Sequence, residues 1–400
     1  MEFRNPTQHR MTRRAIAHDY TRPGIYHITM HVADSLGQPF GVVVGNPSIT
    51  NISNDAPRTD LTRVGQMVEH ELLTAIHSHY PMVSIQDYVI MPEHLHCLMV
   101  VNDNIISKNG RKTSLGQVIA GFKKGCNKRY WEMTNQQGEP VGTISAASVP
   151  SGSVSGDFAT SKPRYSTGRQ PLFAGGYCDV MPLDAEQLAT QRAYIAGNPR
   201  SRLLRMSNRE NLMTQRGAIT TALTIAALRG YLQRECPPSL ATDEALTAIV
   251  CRLLSADGYI ACDSYGNRAI LTERRCLPVI CHRRDAKYFE TQKQRCLGEA
   301  AQGAALVSAC ISPREREIIT ECVNHGFPVI SIHDNGFADR YHPSAERLEI
   351  CSSGRLLIVS PWKYEYRGKD EQVTVPFCKA MNCVAQALCR TRDDWWKNKE

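Results

Sequence analysis

No run in this 400-residue chain approaches the ~18 consecutive apolar residues that a membrane-crossing helix needs, so no span is expected. No apolar stretch follows the basic N-terminal residues, which argues against a secretory signal and for a cytoplasmic protein. The fifteen cysteines contain no Cys-x-x-Cys pair. Their scatter and odd number argue against a disulfide framework or a zinc ribbon, and fit small buried residues in a reducing compartment. Cys276, Cys281 and His282 lie close in sequence, but no structural zinc is expected from them. The chain has no Gly-x-x-x-x-Gly-Lys loop and no Gly-x-Gly-x-x-Gly, so neither a P-loop phosphate cradle nor a dinucleotide cofactor is supported. Charge of neither sign dominates: 47 Lys and Arg stand against 39 Asp and Glu, and a net +8 over this length says little by its size.

What is present is more specific. Met91-Pro92-Glu93-His94-Leu95-His96 leads into the apolar run Cys97-Leu98-Met99-Val100-Val101. Strand side chains alternate with period 2, so His94 and His96 share one face while Leu95, Cys97 and Met99 point into a core. About a hundred residues later, Asp184 to Pro199 reads as a helix: Asp184 is a good N-cap, Gln187 stands three residues on, and Pro199 marks the end. Leu188 and Ile195 give it an apolar side, and Gln187, Gln191, Tyr194 and Asn198 share another.

Together these two elements resemble the single-tyrosine HUH transposases, and most closely the REP-associated tyrosine transposases. Met91 to His96 is similar to that family's His-hydrophobic-His motif, and Tyr194-Ile195-Ala196-Gly197-Asn198-Pro199 to its tyrosine helix ending in Asn-Pro. Leu172 to Val180 is similar to the aromatic-rich strand before that helix, except that Pro171-Leu172-Phe173 stands where relatives carry a tryptophan-glutamine pair. The departure bears on substrate detail more than on chemistry.

The resemblance implies a fold and a mechanism. The fold is α+β, with a ferredoxin-like N-terminal domain built on an antiparallel sheet with helices. The pattern of the chain can supply one: a strand over Ile25–Val32, a helix with Leu61, Val64, Val68, Leu72 and Ile76 on one side, and a hairpin of Val83–Ile90 with the histidine strand. A helix from about Ser114 to Trp131 and a last strand over Phe173–Met181 complete it. The mechanism is attack by Tyr194 on a phosphodiester of single-stranded, hairpin-forming DNA, giving a 5′-phosphotyrosine and a free 3′-hydroxyl. His94, His96 and Asn198 would hold Mg²⁺ or Mn²⁺, since two imidazoles and an amide oxygen leave positions open for phosphate and water. The bond energy is retained, so strand transfer needs no ATP. A relaxase or replication initiator using the same site, or a DNA-binding module with a degenerate transposase domain, are the alternatives.

Charge distribution agrees with a nucleic-acid partner. From Asp103 to Trp131 seven basic residues (Lys108, Arg111, Lys112, Lys123, Lys124, Lys128 and Arg129) face a single acid, and Arg200, Arg202, Arg205 and Arg209 follow the tyrosine. Such clusters neutralise backbone phosphates. We expect DNA contacts from Lys123, Lys124, Lys128, Arg129, Arg200 and Arg202, and from Arg13 and Arg14 in a basic arm over residues 1–23. The transposase domain is expected over 24–210, interrupted by a Ser-, Gly- and Ala-rich insertion at 142–168, with the chain acting as a monomer or homodimer.

The remainder is expected as a connecting region of mixed structure (211–285) and a C-terminal Rossmann-like α/β domain (286–400). Leu223–Leu232 and Ala245–Leu254 read as helices, Tyr259–Cys262 and Ala269–Leu271 as short strands. Ala304–Cys310, Pro328–Ile332 and Leu356–Ser360 read as buried strands, and Ser312-Pro313-Arg314-Glu315 opens a helix with a capping box and proline at its first position. This part faintly resembles DNA-processing protein A, and the loop Ser308–Ser312 is a candidate anion holder at a helix start.

Overall fold

Tyr26, Ile28 and Met30 alternate with His27, Thr29 and His31 along the first strand, β1 (Gly24–His31), and that alternation organises the first half of the molecule. In the computed structural model the described residues are 18–49, 51, 53–107, 109–137, 169–182, 184–339, 341–365 and 373–397. Arg13, Arg14 and Lys108, and the insertion expected at 142–168, lie outside them. The chain divides into two units, Met1–Leu203 and Leu204–Glu400.

In the first unit β1 is followed by the paired strands β2 (Gly41–Val44) and β3 (Arg58–Leu61), then by α1 (Arg63–His70), a π-helical turn (Glu71–Ala75) and α2 (Ile76–His79). Next come β4 (Val83–Met91), β5 (His94–Val101), α3 (Leu115–Gln137), β6 (Cys178–Val180) and α4 (Ala185–Ser207). Four strands form an antiparallel sheet in the order β4-β5-β1-β6. The expected stripe Val64, Val68, Leu72 and Ile76 packs with Leu115, Val118, Ile119, Phe122 and Cys126 of α3 onto Tyr26, Ile28, Met30, Leu95, Cys97 and Met99. This is one face of the sheet; by period-2 alternation the histidines occupy the other.

Local chemistry sets the element ends. The Thr62 hydroxyl accepts from the Gly65 amide at 3.1 Å to start α1. The last strand is shorter than expected: Gly175 and Gly176, the latter at φ 74°, interrupt it, leaving Phe173 as a single bridge to Val32 before Cys178–Val180 resumes. Leu172 and Phe173 are core residues, which accounts for the apolar pair at the point where the motif departs.

The second unit contains β7 (Gln215–Thr224), α5 (Ile225–Glu235), α6 (Asp243–Arg252), β8 (Ser255–Ala256), β9 (Tyr259–Gly266), α7 (Ala269–Glu273) and β10 (Cys276–Pro278). It continues with α8 (Phe289–Ala301), β11 (Ala305–Ser308), α9 (Pro313–Asn324), β12 (Val329–Ile332), α10 (Ala345–Ser352), β13 (Leu356–Ser360) and α11 (Val375–Cys389). One sheet runs β10-β11-β12-β13-β9-β7, parallel from β10 to β13 and antiparallel beyond, with β8 beside β9. Val307, Ile330 and Val359 pack with α5, α6 and α11 on one face, Leu306, Val329 and Ile358 with α8, α9 and α10 on the other. Both faces are covered, which is why these strands are continuous apolar runs.

Two expectations change here. Residues 211–285 do not merely connect: β7, β9 and β10 belong to the same sheet as the later strands, held by the β9–β13 and β10–β11 ladders. Ala269–Leu271 is helical, because the Asn267 side chain accepts from the Ala269 amide at 3.0 Å and starts a helical turn where the apolar triplet alone suggested a strand. Among the described residues no helix is long and apolar enough to cross a membrane.

Candidate active site

β5 pairs antiparallel with β1 in a register that sets Thr29 opposite His96 and His31 opposite His94. Four imidazoles therefore gather on one face of two adjacent strands. Ring centroids lie 4.9 Å apart for His94 and His96, 5.2 Å for His27 and His96, and 5.3 Å for His31 and His94. His27 and His31 carry no motif of their own, and sequence reasoning passed over them. The signal was present: His27, Thr29 and His31 alternate with the same period as His94 and His96, and only the strand register brings the two sets together.

The tyrosine meets these histidines within one chain. The Tyr194 ring stands edge-on to His96 at 5.2 Å and 85°, and 5.9 Å from His27. The helix that carries it is capped as expected, Asp184 Oδ1 accepting from the Gln187 amide at 2.7 Å. It does not end at Pro199 but continues to Ser207. Proline lacks an amide hydrogen and removes one helical bond, yet Ile195 and Pro199 are both buried, and that packing outweighs the loss. Asn198 donates its side-chain amide to the Tyr194 carbonyl at 3.0 Å, one turn back on the same face.

Three arginines clamp α4 to the first unit. Arg192 bonds Asp87 at 3.1 Å and Gln86 at 2.8 Å, two residues in the irregular stretch where the β4–β5 register shifts. Arg200 donates to the Pro47 carbonyl at 2.7 Å, and Arg202 to Glu93 Oε1 at 2.6 Å. Arg192 and Arg202 are ten residues, or about 15 Å of helix, apart, so they grip both sides of Tyr194. The ring stays 50 % exposed, open to solvent.

Burial decides the charge of the site. His96 is 6 % exposed, and burial, with repulsion from His94, His27 and His31, pushes its pKa down to about 2. Burial alone lowers His27 to about 4. Both rings are neutral at physiological pH and have a lone pair to offer. His96 Nδ1 lies 3.1 Å from His27 Nε2 and 2.9 Å from Thr29 Oγ1, and His94 Nδ1 3.2 Å from Glu93 Oε1. Burial pushes the Glu93 carboxyl up, but hydrogen bonding from His94 and the Arg202 charge outweigh it and leave it below the ordinary carboxylate range.

These residues partly fit a divalent cation. Each of His94 and His96 has its Nδ1 within hydrogen-bonding distance of a neighbour, so Nε2 is the nitrogen that would be open to a cation. Glu93 Oε2 and Gln191 Oε1 are buried acceptors with no hydrogen-bond partner among the described residues. No group of three His, Cys, Asp or Glu side chains among the described residues is arranged to hold a metal.

The basic helix is not beside this face. Its apolar side packs under the sheet face opposite the histidines, so Lys123, Lys124, Lys128 and Arg129 are separated from Tyr194 by the sheet. Lys123 donates to the carbonyls of Ala174 and Gly176, and Arg129 pairs with buried Glu71 at 2.5 Å. Lys128 lies 3.9 Å from Glu132 on an exposed face, and Lys124 is exposed.

In the second unit the loop Ser308–Ser312 is already served by a carboxylate. Buried Glu315 accepts from the amides of Ile311 at 2.8 Å, Ser312 at 3.3 Å and Cys281 at 3.0 Å. A negative side chain occupies the position expected for an anion. The predicted capping box is present, but closed upon itself. His282 is bonded to Asp393 at 2.6 Å, and Cys276 is buried in a core.

No family model and no curated protein matches this chain. Among solved structures it is similar to a REP-associated tyrosine transposase bound to a REP hairpin, at 14 % identity and a TM-score of 0.26, over 46 % of this chain and 72 % of that one. It is also similar to DNA processing protein A from Streptococcus pneumoniae, at 18 % identity and a TM-score of 0.23, over 41 % of this chain and 64 % of that one.

Proposed function

We propose that this chain cleaves and rejoins single-stranded DNA through a covalent 5′-phosphotyrosine on Tyr194, acting on hairpin-forming repeats as a single-tyrosine HUH transposase does. The first unit would then be a ferredoxin-like HUH domain, consistent with its β4-β5-β1-β6 order, and the second a Rossmann-like layer. The observation that carries the reading is the half-exposed Tyr194 ring packed edge-on against His96 at 5.2 Å. A tyrosine serving only the core would be buried, and paired strand histidines serving only solubility would not meet it.

Tyr194 attacks the scissile phosphorus. The bond between its oxygen and phosphorus forms as the phosphorus–O3′ bond breaks; the phenol gives up its proton and the departing 3′-oxygen gains one. The reverse attack by a 3′-hydroxyl completes strand transfer. His94 and His96, with the Asn198 amide oxygen, would hold Mg²⁺ or Mn²⁺ beside the phosphate, where a cation offsets the charge on the phosphoryl oxygens. The lowered pKa of His96 keeps that ring neutral for the task. Arg192, Arg200 and Arg202 hold the nucleophile's helix against the histidine face.

The test is cleavage of a labelled hairpin-bearing oligonucleotide with Mn²⁺. The intact chain should produce a shortened strand and a protein-linked strand, both lost in Tyr194→Phe and on chelation, with DNA binding retained in Tyr194→Phe. Binding without cleavage by the unaltered chain would favour the DNA-binding alternative.

A further inference from the structure

We infer that the second unit holds a small phosphate monoester with a hydroxylated body, a sugar or nucleoside phosphate, in the cavity beyond the carboxyl ends of β11 and β12, with Arg316 and Arg347 on the phosphate. The inference is independent of Tyr194, since every residue it uses lies within Leu204–Glu400.

The cavity measures about 460 Å³, a size suited to a small molecule rather than to a continuous strand. It opens where parallel strands end, the side of an α/β sheet on which ligands bind. Its walls divide by chemistry: Ile311, Ile332 and Met381 give an apolar side, and Arg316, Arg347 and Asp334 a charged one. Both arginines stand near a helix start, Arg316 at the fourth position of α9 and Arg347 at the third of α10. A cation is disfavoured there, because the helix dipole brings its own positive end to the same place. Neither arginine pairs with a carboxylate among the described residues. Arg347 Nη1 lies 2.9 Å from His333 Nε2, and since a guanidinium has only hydrogens to give, the imidazole accepts. Burial, with the Arg347 charge beside it, lowers the pKa of His333 to about 4, so this partner is neutral and leaves the arginine's charge uncompensated. The imidazole packs against Phe337 and Tyr341, themselves stacked at 4.2 Å, which gives the guanidinium a fixed support.

Two uncompensated guanidinium groups at two helix starts match the double charge of a phosphate monoester near pH 7 better than the single charge of a carboxylate. The loop amides take no part, because those of Ile311 and Ser312 are spent on Glu315. Cys310, in the cavity wall, is held at φ 51°, a left-handed strain of the kind that gathers at ligand sites. Asp334 is exposed on the same cavity. Its carboxylate repels a phosphate and accepts from a hydroxyl, so the body of the ester faces it, as a ribose faces an acidic residue at a strand end. That selects a hydroxylated ester over inorganic phosphate.

Isothermal titration calorimetry of the full chain at fixed ionic strength, with adenosine 5′-monophosphate, ribose 5-phosphate, inorganic phosphate and adenosine as probes, tests this. One of the two esters should bind saturably, at least about tenfold more tightly than inorganic phosphate or adenosine, and Arg316→Met and Arg347→Met should each weaken it by at least about tenfold. Arg316 is exposed, so its replacement separates lost binding from lost folding. Arg347→Lys, which keeps the charge and loses the planar fork, should recover part of the affinity, and Tyr194→Phe should bind the ester as the unaltered chain does. The inference is overturned if neither ester binds saturably, or if inorganic phosphate or adenosine binds as tightly. Affinity unchanged in both methionine variants would put the anion elsewhere and overturn it too, as would a single strand that binds at Arg316 and Arg347 more tightly than either ester.

Discussion

Arg202 and His94 share one oxygen of Glu93: the guanidinium reaches Oε1 at 2.6 Å and the imidazole Nδ1 lies 3.2 Å from it. The carboxylate sits in the tight turn between β4 and β5, so one side chain ties α4, which carries Tyr194, to the strand carrying the paired histidines. Removing one partner from such a half-buried group leaves the others unsatisfied, at a cost of about 1–3 kcal/mol. Arg202→Met should lower the stability of the first unit by that amount and accelerate hydrogen exchange along α4 around Tyr194. Unchanged exchange in α4 would show that the clamp does not hold the helix.

Tyr194 itself should be structurally dispensable. Its ring is half exposed and its hydroxyl has no hydrogen-bond partner among the described residues, so Tyr194→Phe should change stability by no more than about 0.5 kcal/mol. Strand cleavage should fall by at least about a thousandfold. A large loss of melting temperature would instead mark Tyr194 as a packing residue.

Stability should fall in mild acid. His27 and His333 are lowered to about 4 and His96 to about 2, all mainly by burial, against an ordinary 6.5. The unfolded chain takes up protons below pH 6.5 while these folded rings stay neutral, so stability is full above that pH and is lost as the pH falls from 6.5 towards 4. For His27 alone the loss is on the order of 3 kcal/mol. Urea midpoints measured from pH 7 to 4.5 check this, and His27→Gln should flatten the slope; an unaltered slope in that variant would contradict the assignment.

Glu315 should matter for folding rather than for ligand binding. It satisfies three buried or half-buried amides around the start of α9. Glu315→Ala leaves those donors bare and should destabilise the second unit by roughly 3 kcal/mol or more, read as a lower urea midpoint. If phosphate instead bound and stabilised the wild-type protein at that loop, the structural role would be wrong.

The α3 lysines should be separable from the chemistry. Because α3 packs on the far face of the sheet, Lys124→Ala/Lys128→Ala should leave the single-turnover cleavage rate at saturating DNA unchanged, while lowering the salt dependence of binding by at most about two charges. A collapse of the saturated rate would place those side chains at the reacting phosphate.

Much of this was readable in the chain because local chemistry decides it. The alternation around His94 and His96, the Asp184 cap, the stripe from Val64 to Ile76, and the Ser312–Glu315 box each depend on residues a few positions apart. What escaped depends on register or packing. His27 and His31 became part of the site only when β1 paired with β5. The helix passed through Pro199 because tertiary burial of Ile195 and Pro199 overrode a local stop signal. Nor could the basic run on α3 be placed, since charge clusters carry no information about which face of a sheet they will cover.

The most direct measurement is mass spectrometric mapping of the protein after incubation with a hairpin-bearing single strand and Mn²⁺. A nucleotide remnant is expected on the peptide containing Tyr194, joined through a 5′-phosphate and absent from Tyr194→Phe. An adduct on another residue, or no adduct from a chain that cleaves the strand, would contradict it.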